Sequence, residues 1–145
     1  MEHHLITETI QLSIPAELSR VADIRHFVRV ALEPFCNEED FLYEAALAVE
    51  EAVANIILHG YKEKKGIITI SIHTHATFVE ILIQDNAPSF DPTTVPPPPI
   101  DVPLEQRPLG GLGVHIMRKY CDKMTHRRTT SGLNELRMVK RYPKR

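Results

Sequence analysis

A chain of 145 residues with 43% apolar content can bury one core without disulfides or a structural metal, and one domain spanning 1–145 is expected. A formal charge of −2 excludes a sequence-independent attraction to nucleic acid or anionic lipid, the basic Lys140, Arg141, Lys144 and Arg145 reading as a solvated tail. Cys36 and Cys121 lack metal-ligand spacing, no apolar run reaches the ~18 residues of a membrane span, and no signal-like core opens the chain, so a reduced, cytoplasmic setting is expected.

Ile6, Ile10, Leu12 and Ile14 predict a first strand, ended by Pro15, at the edge of a sheet or capping it. Apolar positions 18, 21, 24, 28, 31 and 32 then follow the helical period from Ala16 to Leu32, and Pro34 stops that helix. Asn37 is the expected N-cap of a second helix over about 38–58, with Glu38, Glu39 and Asp40 complementing its dipole. Positions 42, 45, 49, 52, 53, 56 and 57 form its apolar face. Glu51, Asn55 and His59, four residues apart, stack a carboxylate, an amide and an imidazole along the edge of that face. Glu50 points elsewhere and is expected at the surface. Gly60 supplies the C-terminal break, followed by a polar turn over 62–66.

Ile67 to Ile72 and Phe78 to Asp85 predict an antiparallel hairpin joined by His73-Thr74-His75-Ala76. His73 and His75 lack a third ligand and read as turn histidines, not a metal pair. Residues 92–109 hold seven of the eleven prolines and follow no period, which predicts a lid loop. Helical spacing resumes with Val114, Ile116, Met117 and Tyr120. Two closing strands, near Lys123 to Arg128 and Leu133 to Arg141, turn at Ser131-Gly132.

Three features carry chemistry. Asp85 ends an apolar strand, where a carboxylate is costly to bury unless it accepts hydrogen bonds, for example from an adenine amino group. Gly110, Gly111 and Gly113 let backbone N–H groups approach an anion, and the helix that follows adds its dipole. This is neither a Walker loop, which needs Lys-Ser/Thr next, nor a dinucleotide fingerprint, which needs a preceding strand. Asn55 can offer a neutral oxygen to Mg²⁺, an ion that takes its other oxygens from water and phosphate. Glu51, one turn earlier, would then lie near a γ-phosphate as a general base.

The ordered set Glu51-x-x-x-Asn55, Asp85-x-Ala87-x-x-Phe90 and Gly111-x-Gly113 resembles the GHKL ATPase superfamily of gyrase, MutL and histidine kinase ATP domains. The phrase from Glu51 to Tyr61, with Phe90-Asp91-Pro92 and Gly110-Gly111-Leu112-Gly113, looks like the anti-sigma factor serine-protein kinases of bacterial partner-switching systems. The resemblance implies an α+β two-layer sandwich, the Bergerat fold. Its sheet would be mixed or mostly antiparallel, with about three helices on one face and ATP beneath the lid of 92–109. It implies ATP and Mg²⁺, with Asn55 on the metal, Glu51 as catalytic base and Asp85 on the adenine amino group. Gly111 and Gly113 would hold phosphates, and Ala87, Phe90, Gly110, Leu112, Val114 and Asn134 complete the nucleotide-binding set. A serine/threonine kinase acting as an anti-sigma factor follows, with a sigma factor and an anti-sigma antagonist as partners. A homodimer is also implied, and no direct contact with nucleic acid or membrane.

Two positions depart from the pattern. Ala87 stands where glycine is normal, adding a Cβ where positive φ is then hard to adopt. Gly132-Leu133-Asn134 stands where many members carry Gly-Thr-Thr, leaving Asn134 to substitute for a hydroxyl near the adenine. These departures motivate a second expectation, a nucleotide-gated or catalytically weak module that sequesters a partner. His59 and Tyr61 match family positions, though helix-end packing explains them equally. Arg25 lies where such kinases meet their partners and reads as a solvated residue.

Overall fold

The computed structural model describes residues 8–62, 64–88 and 111–144, with backbone alone for 111–115. Five strands, β1 (Glu8–Pro15), β2 (Ile67–Thr74), β3 (Phe78–Asp85), β4 (Lys123–Arg128) and β5 (Asn134–Arg141), form one sheet in the order β1-β2-β3-β5-β4. Every neighbouring pair is antiparallel. Among the described residues three α-helices accompany it, α1 (Ala22–Leu32), α2 (Glu39–Asn55) and α3 (Gly111–Tyr120), with α2 packed against both of the others. The expected α+β class and the hairpin of β2 and β3 are present. The sheet is antiparallel throughout, not mixed.

Directly opposed residues of antiparallel strands share a face. The register therefore builds three rows toward the helices. Ile10, Ile72, Ile81, Met138 and Met124 make the first row, and Leu12, Ile70, Ile83, Leu136 and His126 the second. The third row starts with Ile14 and Ile68 and ends in Asp85, Asn134 and Arg128. It turns from hydrocarbon to polar groups within one strand step. Against these rows pack Ile24, Val28 and Leu32 of α1 and Phe41, Leu42, Val49 and Val53 of α2, all buried. Each such side chain contributes roughly 1.5–3 kcal/mol of transfer free energy. The opposite face is a polar lattice: Gln11 bonds Ser71, Ser13 bonds Thr69, Gln84 and Arg127 both bond Glu135, and Arg137 pairs with Glu80.

Several local expectations shift. Ala16 N–H bonds Gly66 O at 2.9 Å, prolonging the sheet contact past Pro15. The first helix therefore opens as a 3₁₀ turn, Leu18–Arg20, and is α-helical only from Ala22. Glu38, not Asn37, occupies the N-cap of α2 and makes no side-chain capping bond. The second helix does not run to 58. It ends at Asn55 and widens into a π-helical segment, Ile56–Tyr61, that contains Gly60 and exits through Lys62 at φ 50°. Lys140 is not part of a solvated tail, because its Nζ donates to Glu44 at 3.0 Å and to Tyr120 O at 2.7 Å. That ammonium holds the C-terminus of α3, where carbonyls are unpaired, against α2.

Gly66 has no alternative at its position. A Cβ there would lie 2.1 Å from the ring of Tyr61, which is almost wholly buried. Gly66→Ala is expected to destabilise the chain by about 1–3 kcal/mol, read as a lowered urea midpoint with an unchanged slope.

Candidate nucleotide-binding site

The helical repeat sets Glu51 and Asn55 one turn apart at the end of α2, just before the π segment. Wide π turns occur often at functional sites. Asn55 is fully buried, and neither its Oδ1 nor its Nδ2 finds a hydrogen-bond partner among the described residues. Burying an amide unpaired costs about 1–3 kcal/mol, so the position is unfavourable for the isolated chain. Glu51 is half-buried. Desolvation, and then the neighbouring charge of Glu50, raise its carboxyl above the ordinary 4.5. His59, next along the same stripe, is also half-buried.

Glu50 is not a surface residue. It is buried, and Arg25 of α1 grips it through two bonds of 3.2 and 3.1 Å, a bidentate pair that removes Arg25 from the merely solvated class. A carboxylate on that side of the helix is tolerated because a guanidinium from another helix neutralises it.

Asp85 sits at the polar end of the third row and is 4% exposed. Its Oδ1 accepts from Asn134 Nδ2 at 2.9 Å and from the N–H of Ala87 at 3.0 Å. Desolvation pushes its carboxyl above 3.8. Those two bonds, with His126 and Arg128 beyond them, oppose the rise. Oδ2 accepts no hydrogen bond among the described residues. Ala87 is buried and does not adopt positive φ, so its Cβ is accommodated without backbone strain.

One side chain links the two halves of this site. The Tyr61 hydroxyl, six residues beyond Asn55, lies 3.0 Å from Ile67 O, accepts the N–H of Asn86 at 3.0 Å and meets Asn86 Oδ1. Asn86 follows Asp85 directly. The end of α2 is thereby tied to the turn that carries the carboxylate. Tyr61 does more than fill space at a helix end.

Gly111, Leu112 and Gly113 fall inside the first turn of α3 and Val114 follows them, whereas the sequence pattern places the glycines before the helix. Phe90, Gly110 and the lid of 92–109 lie outside the described residues. His73 and Thr74 lie within β2 and not in the turn, paired on both sides by neighbouring strands; His73 bonds Thr9, His75 stacks on Phe78, and no three metal-ligating side chains converge among the described residues. Cys36 and Cys121 are half-buried free thiols, the latter pushed up to about 11 by burial. A cleft of about 990 Å³ opens at the far end of the strands, around Cys36, His75 and Tyr142, away from Glu51, Asn55 and Asp85. Arg128, Asn86 and the Arg25–Glu50 pair escaped sequence reasoning. Only Arg128 had a legible signal, since the turn at Ser131-Gly132 sets it opposite Asn134.

Residues 14–140 match the family described as the histidine kinase-like ATPase domain. The chain belongs to that family. A serine-protein kinase RsbW of Bacillus mycoides (strain KBAB4) is 33% identical over 123 residues, covering 79% of this chain and 74% of that protein. An RsbW of Bacillus anthracis (strain A0248) is 32% identical over the same shares. This histidine kinase-like ATPase domain is thus homologous to RsbW serine-protein kinases, and its family implies ATP binding. The crystal structure of the RsbU and RsbW domains of Rv1364c from Mycobacterium tuberculosis superposes with a TM-score of 0.65 at 14% identity. It covers 96% of this chain, which spans 34% of that one, and shows the shared fold.

The unpartnered Asn55 amide leads to a stability test that needs no activity. Asn55→Leu, similar in volume, is expected to stabilise the nucleotide-free protein by about 1–3 kcal/mol while abolishing magnesium-dependent ATP binding. Thermal melts with and without Mg-ATP check both; an unchanged or lowered nucleotide-free midpoint would remove the amide from the strained class.

Proposed function

We propose that this chain, acting as one domain, is an ATP-dependent serine/threonine protein kinase and an anti-sigma regulatory factor. Its substrate would be a serine of an anti-sigma antagonist, and its second partner a sigma factor. The observation that carries the reading is the buried, unpartnered Asn55 amide one helical turn from the half-buried Glu51. Homology to RsbW serine-protein kinases supports the same class.

Asn55 Oδ1 suits Mg²⁺, because a neutral oxygen with no competing bond can replace one water of the ion's shell. Bound there, the metal would neutralise charge on the phosphates. Glu51 takes the proton of the substrate hydroxyl as that oxygen attacks the γ-phosphorus and ADP leaves. Its raised proton affinity makes it a stronger base than an exposed glutamate. Asp85 Oδ2 accepts the adenine amino group. The backbone of Gly111 to Val114, at the N-terminus of α3, faces the phosphates with its unpaired N–H groups.

A second reading, a partner-sequestering module with weak catalysis, draws on Ala87. Its N–H is already committed to Asp85 Oδ1 and is not offered to a ligand. Incubation with labelled ATP and a candidate antagonist separates the two. Stable capture without transfer favours the module; phosphoserine on the antagonist favours the kinase.

Glu51→Gln is expected to keep ATP affinity within about twofold and to lose transfer by about 10²-fold or more. In the wild type, transfer should rise with pH through a carboxyl pKa above 4.5, because the base must be ionised. Stability runs the opposite way with pH. A carboxyl raised by folding weakens the fold once pH exceeds its unfolded value. Glu51→Gln should therefore melt higher at neutral pH, with the advantage vanishing below about pH 4.5. Full transfer by the variant would exclude Glu51 as the base.

A further inference from the structure

Asn134 is buried to 1% exposure, and both ends of its amide are engaged within the protein. Nδ2 donates to Asp85 Oδ1 at 2.9 Å and to Ala87 O at 3.1 Å, while Oδ1 accepts from Arg128 Nη1 at 3.1 Å. The amide cannot turn over. Rotation by 180° would set its oxygen against the Asp85 carboxylate and its NH₂ against a guanidinium, opposing like groups at both ends. Arg128 fixes one end as acceptor, and Asp85 fixes the other as donor. Both Nδ2 hydrogens of Asn134 are thus occupied within the protein, and its Oδ1 already accepts from Arg128.

We propose that Asn134, held by Arg128, is a positioning residue that sets purine selectivity through Asp85. The inference rests on Asp85 reading the adenine amino group, and concerns how that reading is enforced. With Oδ1 saturated by Asn134 and the Ala87 N–H, the carboxylate presents Oδ2 as a pure acceptor. Adenine offers an N–H at its six-position and is accepted. Guanine offers a carbonyl oxygen there, and two acceptors repel. A protonated Asp85 would become a donor and tolerate guanine. The groups bearing on its charge are His126 and Arg128 from β4, Asn134 from β5, and Tyr61 from the π segment. Asn134 makes the shortest bond to it.

The test measures ATP and GTP dissociation constants by equilibrium titration for the wild type, Asn134→Leu and Arg128→Met. Arg128 is exposed, so its variant retains the core. Melting curves confirm that each variant is folded. Asn134→Leu is expected to lose roughly tenfold in ATP affinity with little change for GTP, so the selectivity ratio falls about tenfold; Arg128→Met moves it the same way by about threefold. A loosened structure would instead weaken both nucleotides equally. Equal weakening, or an unchanged ratio in both variants beside a selective wild type, overturns the role of Asn134 and leaves Asp85 as the reader. A wild type that binds GTP as tightly as ATP overturns the reading by Asp85 and this inference with it.

Discussion

Asp85 carries a carboxylate onto the sheet face that otherwise buries isoleucine, leucine and methionine, and desolvation there favours its neutral form. The surrounding arrangement is a response to that one group. Asn134 stands opposite it on β5, Arg128 stands opposite Asn134 on β4, and the Ala87 N–H curls back from the following turn. Across the sheet in the other direction lie Ile68 and Ile14, which exclude water from the same row. One row therefore holds both an apolar wall and a hydrogen-bonded carboxylate.

The second polar group, Asn55, reaches the site from a helix and not from the sheet, so its position relative to Asp85 depends on what joins the two layers. Tyr61 supplies that joint. Its ring covers Gly66 and its hydroxyl meets Ile67 and Asn86, which explains why glycine is required at 66 and why the chain between Asn55 and Tyr61 abandons α-helical spacing. On the other side of α2, Arg25 neutralises Glu50 beside Glu51, and Lys140 secures the end of α3. Helix α2 is held by ionic contacts to α1 and β5 at the same time as it buries its apolar face. A rigid helix can keep an unpaired amide and a desolvated carboxylate in place; a loosely packed one would turn them to solvent.

Local periodicity was enough to locate most elements. The alternation of Ile67 to Ile72 and of Phe78 to Asp85 specified β2, β3 and their antiparallel pairing. The turn at Ser131-Gly132 specified β4 and β5 to within a residue. The order of Glu51, Asn55, Asp85 and the glycines resembled the family to which the chain belongs. What depends on residues far apart in the chain was not legible. The burial of Glu50 depends on Arg25, 25 positions away. The end of α2 at Asn55 depends on an anchor at Tyr61 whose partners are Ile67 and Asn86. The late start of α1 depends on the bond of Ala16 to Gly66. The orientation of Asn134 depends on Arg128 across a hairpin, which bonds the amide oxygen. Sequence by itself determined the strands, the helices and the identity of the chemical groups, since period and residue type are local properties. Tertiary structure alone decided which of those groups are satisfied by the protein and which remain open for a ligand, since hydrogen-bond saturation is a property of neighbours in space.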